Sequence, residues 1–579
     1  MNLIDWLIVI LLNGSIIVYG IRLSRGVESS ADWFLAGRTL PWWLVGISMY
    51  ATAIDASDLV ADSGGTYTLG LSYFVTNWVG IVGGWLLGAF VIYPSIYRAG
   101  MYTNAEYLEA RFSPSVRVLC AFIQVQYRTL VLAIIATTLY LTLSIVCGWG
   151  TEAWWGVTVI AALATVYTAL GGLKSVAVTD SLQFGVMTIA GLIIWSLVWS
   201  EAGGWNGISA RLDAHQTGLA AQLLHVQYDN VQTQDVGGAE VATIERHLIT
   251  GGTYDAATGV ITRRTPGWLV AVAFMIVGIA YSIVNHTQTM RMFAAKSEWD
   301  MKMSVCVASA AMLVMSFFNL SMGVMGRALF PEVGELPHGA ADSVYPHLVN
   351  QFSITGLKGI VVAGVLAASF STFDSIGSTL SALLTRDVYA RLFVRDRDDK
   401  HYMRVGQLLT PLIIAGSFLY VPFMKGGMLL FYLDLTSTFV IPLLTLFLMG
   451  SLSRVHRRTG LIGLLAGAGY GVMRLLAAPI AESYGIQILP VAMTNSFAAY
   501  LFSVLVTAGT MVVVSMFIGW APKGDLSHVE QPGWLRTSQL AIQQLKTSDD
   551  LMSGGHGPPL LLGCAALAFG CWLSFVVFW

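Results

Sequence analysis

Apolar runs of membrane-spanning length alternate with short polar connections along almost the whole chain. A bilayer core takes roughly 20 apolar residues per helix, and that rule picks out about 14 segments, beginning near residues 5, 41, 70, 118, 153, 178, 267, 303, 356, 405, 427, 460, 490 and 558. Alternate connections carry the basic residues: Arg22, Arg25 and Arg38, then Arg98, Arg111 and Arg117, then Lys174, then Arg291, Lys296 and Lys302. The series continues with Arg386, Arg391, Arg395, Arg397 and Arg404, then Arg454, Arg457 and Arg458, then Lys523, Arg536 and Lys546. The short connections between these sets are almost free of Lys and Arg, so the positive-inside rule puts the basic sets in the cytoplasm and both termini outside a cell membrane. Two long outer connections, 201–266 and 327–355, escape that rule, so Arg246, Arg263 and Arg264 do not disturb it. These connections read as lids or external caps.

The composition agrees with the bilayer and narrows the function. Of 579 residues, 55% are hydrophobic and only 11% charged, outside the range of a soluble domain. A net charge of -2 offers no basic surface for nucleic acid. The five cysteines, Cys120, Cys147, Cys306, Cys564 and Cys571, form no CxxC pair and read as packing residues. The N-terminal run lacks the basic flank and small-residue cleavage site of a signal peptide, so it reads as a retained first span.

Against that background, polar residues inside the spans are the informative ones, since each ionisable side chain at a helix centre costs on the order of 2.5 to 3.5 kcal/mol on insertion scales. The second segment carries Thr52, Ala53, Ile54, Asp55, Ala56, Ser57 and Asp58, a poor match to a continuous apolar helix. Two readings fit: a helix interrupted at mid-membrane, whose freed carbonyls hold a cation, or a helix that stops near Ile54 with Asp55 or Asp58 as a solvated cap. In the ninth segment Ala368, Ser371, Thr372 and Ser375 share one helical face, a stripe of hard oxygen ligands suited to sodium. A stripe of small residues also serves close helix packing, but packing does not call for the carboxylate of Asp374. Asp180 opens the sixth segment, where the helix dipole alone would favour it. Arg128, His286 and Asp434 complete the set, Arg128 being long enough to snorkel and His286 suited to a hydrogen bond within the bundle.

Three motifs carry a family resemblance. LPWWLVGISMYATAI (40–54), GGLKSVAVTDSLQ (171–183) and LAASFSTFDSIGSTLSALLTRDVY (367–389) resemble the first, fifth and eighth core helices of the sodium:solute symporters, which include sodium/galactose symporters, sialic acid transporters and proline permeases. RMFAAKS (291–297) and MYTNAEYLEARF (101–112) are similar to its connecting motifs. The resemblance implies an all-α membrane protein with a five-plus-five inverted-repeat (LeuT-like) core. An extra helix and link would occupy 1–40, the first repeat 41–200, an extracellular loop 201–266, the second repeat 267–451 and peripheral helices 452–579.

Carried over residue by residue, the resemblance implies a sodium site made by the carbonyls of Ala51, Ile54 and Ala368 and the hydroxyls of Ser371 and Thr372. It implies a second cation set at Asp180, Ser371 and Ser375, with Asp374 where a hydroxyl is usual, which leaves open ion number and a role for protons. Asp58, Asn77, Arg128, Tyr281 and Asp434 match substrate-binding positions. Asp58 and Asp434 stand where the galactose transporters have amides and Asn77 where they have an acid, so the pocket departs from the sugar pattern. Tyr281 matches an inner-gate aromatic. Arg128 matches an arginine that grips a carboxylate in a sialic acid transporter, or else it pairs with Asp58.

The expectation is therefore a sodium-coupled importer of a small polar solute, a sugar, acidic sugar, amino acid or other carboxylate, working by alternating access. A proton-coupled transporter or a membrane sensor of the same fold are its rivals, but only a short polar stretch and one apolar segment follow residue 520. HExxH, GxSxG and Walker-type loops are absent from the sequence, which argues against an enzyme. His215, His225 and His247 are too widely spaced for a local metal motif.

Overall fold

The structure, a computed structural model, describes residues 1–23, 29–226, 228, 230–235, 251–255, 260–423, 428–521, 531–548 and 556–579. Arg25, Arg246, His247 and Lys523 lie outside the described residues. The chain opens with α1 (Leu3–Leu23), α2 (Trp42–Ala53), α3 (Ala56–Leu69), α4 (Ser72–Leu87), α5 (Asn104–Arg111), α6 (Pro114–Val146) and α7 (Ala153–Ala202). Beyond the outer loop come α8 (Gly267–Val284), α9 (His286–Phe293), α10 (Glu298–Leu329), α11 (Leu357–Leu383) and α12 (Asp399–Ser417). The last elements are α13 (Met428–Leu435), α14 (Ile441–Leu452), α15 (Thr459–Tyr484), α16 (Ala498–Ile518), α17 (Gly533–Ser548) and α18 (Gly557–Trp572). Among the described residues 12 helices are long and apolar enough to cross a membrane, or up to 13 spans if the bent pair α2 and α3 counts as one. This is an all-α multi-pass membrane protein.

Two spans are broken where the sequence turns polar. Helix α2 ends at Ala53, Ile54 is extended (φ -105, ψ 109), and α3 restarts under Asp55. The Asp55 carboxylate accepts from the Ser57 backbone N–H at 2.8 Å, and Asp58 accepts from the Asp55 N–H at 2.6 Å, a capping box. The break bends the path by 49°. Asp55 does cap a helix, but at an interruption and buried, at 5% exposed, not as a solvated cap. A second break, not expected from the sequence, separates α8 from α9 at Asn285 (φ -64, ψ 104), whose side chain accepts from the Thr287 N–H at 3.1 Å.

Helix α7 holds 50 residues, about 75 Å at 1.5 Å each and more than twice the ~30 Å hydrocarbon core. Its backbone leaves helical geometry at Gly172 (φ 60, ψ -176). A Cβ there would lie 2.8 Å from the Trp33 carbonyl oxygen, so both the positive φ and the close approach demand glycine. Atoms of Tyr167, Ser175 and Thr179 all fall within 3.8 Å of one point beside Gly20, whereas a straight helix would part Tyr167 from Thr179 by about 18 Å. The two arms of α7 are the segments read as starting near 153 and 178.

Helix α11 packs along α7, α8 along α4, and α10 along α2 and α3. Small residues allow these approaches: a Cβ on Gly278 would meet the Asn77 carbonyl at 2.5 Å, and one on Gly323 the Ser63 carbonyl at 2.0 Å. The loop between α7 and α8 adds a three-stranded antiparallel sheet, β1 (Asn230–Asp235), β2 (Gly251–Asp255) and β3 (Val260–Thr265), in the order β1-β3-β2. The sequence reading contained no strand here, because these polar segments lack the apolar alternation of a strand on a core. The loop is fastened by Leu71 N–H to the Leu223 carbonyl at 2.6 Å and Val226 N–H to the Phe578 carbonyl at 2.8 Å. Asp5 ties the N-terminus to α11, accepting from the N–H groups of Gly356 at 2.7 Å and Gly359 at 3.0 Å.

At the other end of α6 and α11 the basic connections are pinned by acids. Arg117 meets Asp387 at 2.6 Å, Glu109 at 2.8 Å and Glu106 at 3.4 Å, while Arg386 meets Glu106 at 3.1 Å. Arg391 reaches Glu109 at 2.7 Å. Helix α17 covers this network. Trp534 stacks on Tyr402 at 4.0 Å and lies 4.9 Å from the Arg386 guanidinium, and Gln539 donates to the Ala99 carbonyl at 2.7 Å. Breaking a buried pair leaves a charge uncompensated, so Glu106→Gln should cost about 3 to 5 kcal/mol, read as a lowered thermal midpoint of the purified protein.

Candidate functional site

A cavity of about 120 Å³ opens between α3, α4, α6, α8, α10 and α13. Asp55, Asp58 and Asp62 line it from the restarted helix, Asn77 and Trp78 from α4, Arg128 from α6, Tyr281 from α8 and Tyr432 from α13. Because α3 starts beneath the break, its first two turns present their carboxylates to this space. Arg128 is only 2% exposed and does not snorkel. Its Nε and Nη2 have no hydrogen-bond partner among the described residues, and no ion pair there joins it to Asp58. The Asn77 side-chain oxygen is likewise buried without a partner among them.

Tyr281 floors the cavity. Its hydroxyl donates to the Thr52 carbonyl at 3.5 Å and accepts from Gln288, 3.0 Å away, which also donates to the Met49 carbonyl at 3.1 Å. The aromatic ring thus joins both broken helices at their breaks.

At the first break oxygens converge. The Ser371 hydroxyl lies 3.0 Å from the Ala51 carbonyl and 2.8 Å from that of Ala368, and the Thr372 hydroxyl 3.2 Å from the Ala368 carbonyl. Ile54, the residue at the break itself, adds a carbonyl outside the helical ladder. Hydroxyl and carbonyl oxygens from two helices, all fully or nearly fully buried, form a donor set fit for a hard monovalent cation.

Deeper in the bundle, Asp180 accepts from Ser48 at 2.6 Å and from Arg291 at 2.9 Å. Arg291 also donates to Ser48 at 2.7 Å, to the Thr287 carbonyl at 2.8 Å and to Ser375. Asp374 accepts from Tyr167 at 2.5 Å and from Ser375 at 3.0 Å. Every one of these side chains is shut off from solvent. Asp180 and Ser375 meet on the guanidinium of Arg291, and Asp374 joins them through Ser375. The sequence reading placed Arg291 in a cytoplasmic connection. The signal it passed over is the polar run Asn285, His286, Thr287, Gln288 and Thr289, which interrupts an apolar span just before Arg291.

Two further expectations change. Asp434 turns away from the cavity to an ion pair with Arg474 at 2.9 Å and a hydrogen bond from Ser496 at 3.0 Å. Its partner Arg474 lies on α15, forty positions along the chain. His286 was expected to be hydrogen-bonded in the bundle, yet both its ring nitrogens lack a partner among the described residues. Asp55 and Asp62 join the cavity lining beside the expected Asp58.

Asp342 belongs to the short turn Ala341–Ser343 and accepts from the Met428 N–H at 3.3 Å. It packs on Gly64 of α3, where a Cβ would sit 2.3 Å from its carboxylate. Burial pushes this carboxyl up to about 6 from its ordinary 3.8. The folded protein thus holds a proton that the unfolded chain releases, so this group destabilises the fold above pH about 6, and the penalty fades as pH falls toward 3.8.

Comparison with known proteins places the chain among transporters. The profile of the sodium:solute symporter family matches residues 33–467. The Vibrio parahaemolyticus sodium/glucose cotransporter is 25% identical over 496 residues, covering 82% of this chain and 85% of its own. Sodium/glucose cotransporter 4 of Danio rerio is 23% identical over 549 residues, covering 90% of this chain and 78% of its own. Among solved structures, a sodium-coupled sialic acid symporter in a substrate-bound outward-open state superposes with a TM-score of 0.70 at 17% identity, covering 90% of this chain and 99% of that one. A nucleobase-cation-symport-1 family transporter in a closed conformation gives 0.51 at 13% identity, with the same coverages of 90% and 99%.

Two outcomes follow from the geometry. Arg291→Gln, which strands Asp180 without its countercharge, should lower stability by about 3 to 5 kcal/mol, visible as a fall in thermal midpoint. Asp342→Asn should raise the midpoint at pH 7.5 and flatten its pH dependence between 3.8 and about 6, measured by thermal scans across that range.

Proposed function

The chain belongs to the sodium:solute symporter family, and from that premise we propose that it imports a small polar organic solute by alternating access, with one sodium bound at Ala51, Ile54, Ala368, Ser371 and Thr372. Membership carries sodium as the coupling ion and transport, not catalysis, as the activity. The observation that carries the site is the Ser371 hydroxyl, held 3.0 Å from a carbonyl of α2 and 2.8 Å from one of its own helix. A cation at that point draws oxygens of two helices together, so occupancy favours the conformer in which they touch. Solute binding in the cavity one turn away favours the same conformer, and linkage makes each ligand strengthen the other.

The architecture proposed for this cycle has fourteen spans, the thirteen above with the arms of α7 counted apart. Ten form two five-helix repeats, from α2 to the second arm of α7 and from α8 to α14. Two features support the repeat. The first member of each half is a broken helix, α2 with α3 and α8 with α9. The contact of α4 with α8 and that of α10 with α2 and α3 exchange under a shift of five spans. An even number of spans puts both termini on one side, and the basic connections with their acid partners argue that this side is outside.

A second reading has a specific observation behind it. Asp180 pairs with Arg291, while Asp374 meets Tyr167 and Ser375 and no basic residue among the described residues, so a proton on Asp374 would balance the cluster and would let proton movement accompany or replace sodium.

In proteoliposomes, sodium-dependent solute uptake should be seen with the wild type. Ser371→Ala combined with Thr372→Ala should raise the half-saturating sodium concentration about tenfold or more, in line with losing two of five ligands worth about 1 kcal/mol or more apiece. Uptake that ignores sodium and follows an imposed pH gradient would favour the proton reading instead.

A further inference from the structure

We propose that the solute is a zwitterion, a small molecule bearing both a carboxylate and a protonated amine, with Arg128 receiving the carboxylate and Asp58 with Asp62 receiving the ammonium group. The proposal rests on the symport reading of this cavity and adds the class of its substrate.

The cavity is lined by basic and acidic groups in unequal numbers. Arg128 is the single basic residue in its lining among the described residues, beside Asp55, Asp58 and Asp62. Asp55 is already committed to capping α3, through the Ser57 N–H and hydroxyl. Asp58 gives one oxygen to the Asp55 N–H, and Asp62 lies one helical turn on, so the pair forms a single acidic face with acceptor capacity to spare. A buried face of that kind favours a cationic group that can donate several hydrogen bonds. Tyr432, Trp78 and Tyr281 surround the same space and suit an ammonium through their ring faces.

The other sign is equally specific. A buried guanidinium needs acceptors, and the two donors of Arg128 without partners among the described residues are Nε and Nη2. These lie side by side on one edge of the guanidinium, the edge that matches both oxygens of a carboxylate in a bidentate pair. A neutral polyol would bring no countercharge to either the guanidinium or the acidic face. A simple acid would serve Arg128 and leave the Asp58 and Asp62 face without a donor, while a simple amine would leave Nε and Nη2 of Arg128 without acceptors. A solute with both groups answers all the demands, and a volume of about 120 Å³, roughly ten times what one water requires, calls for a small one.

The test is sodium-dependent thermal stabilisation of the purified wild-type protein, followed by uptake, against the protein amino acids, β-alanine, γ-aminobutyrate and glucosaminate. Each is compared with its deaminated acid and decarboxylated amine, alongside galactose and sialic acid. The expected result is that at least one zwitterion binds about tenfold or more tightly than both of its single-charge counterparts and than either sugar, the factor typical of losing one partner of a buried charge pair. Arg128→Gln should erase the preference for the zwitterion over its amine, and Asp58→Asn or Asp62→Asn the preference over its acid. Galactose or a simple acid binding as tightly as every zwitterion, or no zwitterion binding at all, overturns the proposal. A zwitterion that binds equally well in sodium and potassium would leave the class standing and remove the sodium coupling on which the symport reading depends.

Discussion

A backbone that leaves the helix inside a bilayer must satisfy its own carbonyls, because no water is there to do so. The interruption at Ile54 imposes that condition here, and much of the molecule is arranged to meet it. Asp55 and Asp58 close the N-terminus of the second half-helix, and Ser371 reaches across from α11 to the Ala51 carbonyl. Tyr281 does the same for Thr52 from α8. Each of these partners is fixed in turn by packing that only small residues allow, notably Gly278 on Asn77 and Gly323 on Ser63. One broken helix therefore dictates the identity of residues on three others.

The same break sorts the acids by task. Asp55 works as a cap, Asp58 and Asp62 face the cavity, and Asp180 and Asp374 lie farther in with Arg291 between their donors. Farther still, Glu106, Glu109 and Asp387 hold the arginines of the opposite face beneath α17. The buried arginines that hold helices together have acids as ion-pair partners, Arg117 and Arg386 at Glu106 and Arg291 at Asp180, whereas Arg128 at the cavity has no ion-pair partner among the described residues. That contrast distinguishes Arg128, with two unpaired donors, from Arg117 and Arg386, which are equally buried and several times paired.

Much of this was legible in the residues because hydrophobicity and charge report directly on the bilayer. The span starts near 153 and 178 fall on the two arms of α7, which part at the non-helical Gly172. The stripe Ala368, Ser371, Thr372 and Ser375 could be read because helical spacing alone puts those oxygens on one face. What could not be read were choices between neighbours in space. Asp434 had no sequence signal pointing to Arg474, forty positions on, and Arg291 looked cytoplasmic because a basic residue between two spans ordinarily is. The break at Asn285 was hidden by the strongly apolar run of α8 before it. The sheet in the outer loop escaped because its strands pair with each other and need no apolar face.

The guanidinium of Arg291 differs from a transported cation in one respect that its hydrogen bonds do not reveal. A sodium ion that enters at one surface and leaves at the other traverses the whole transmembrane voltage, worth about 2.3 kcal/mol per 100 mV for each unit charge. Arg291 is covalently part of α9 and can move through that voltage only as far as its helix moves. It pairs with Asp180 and exchanges energy with the field only through the movement of α9. The full electrical work therefore belongs to a cation that passes through, and the charge that steadies the interior of the bundle takes only the share its helix movement gives it.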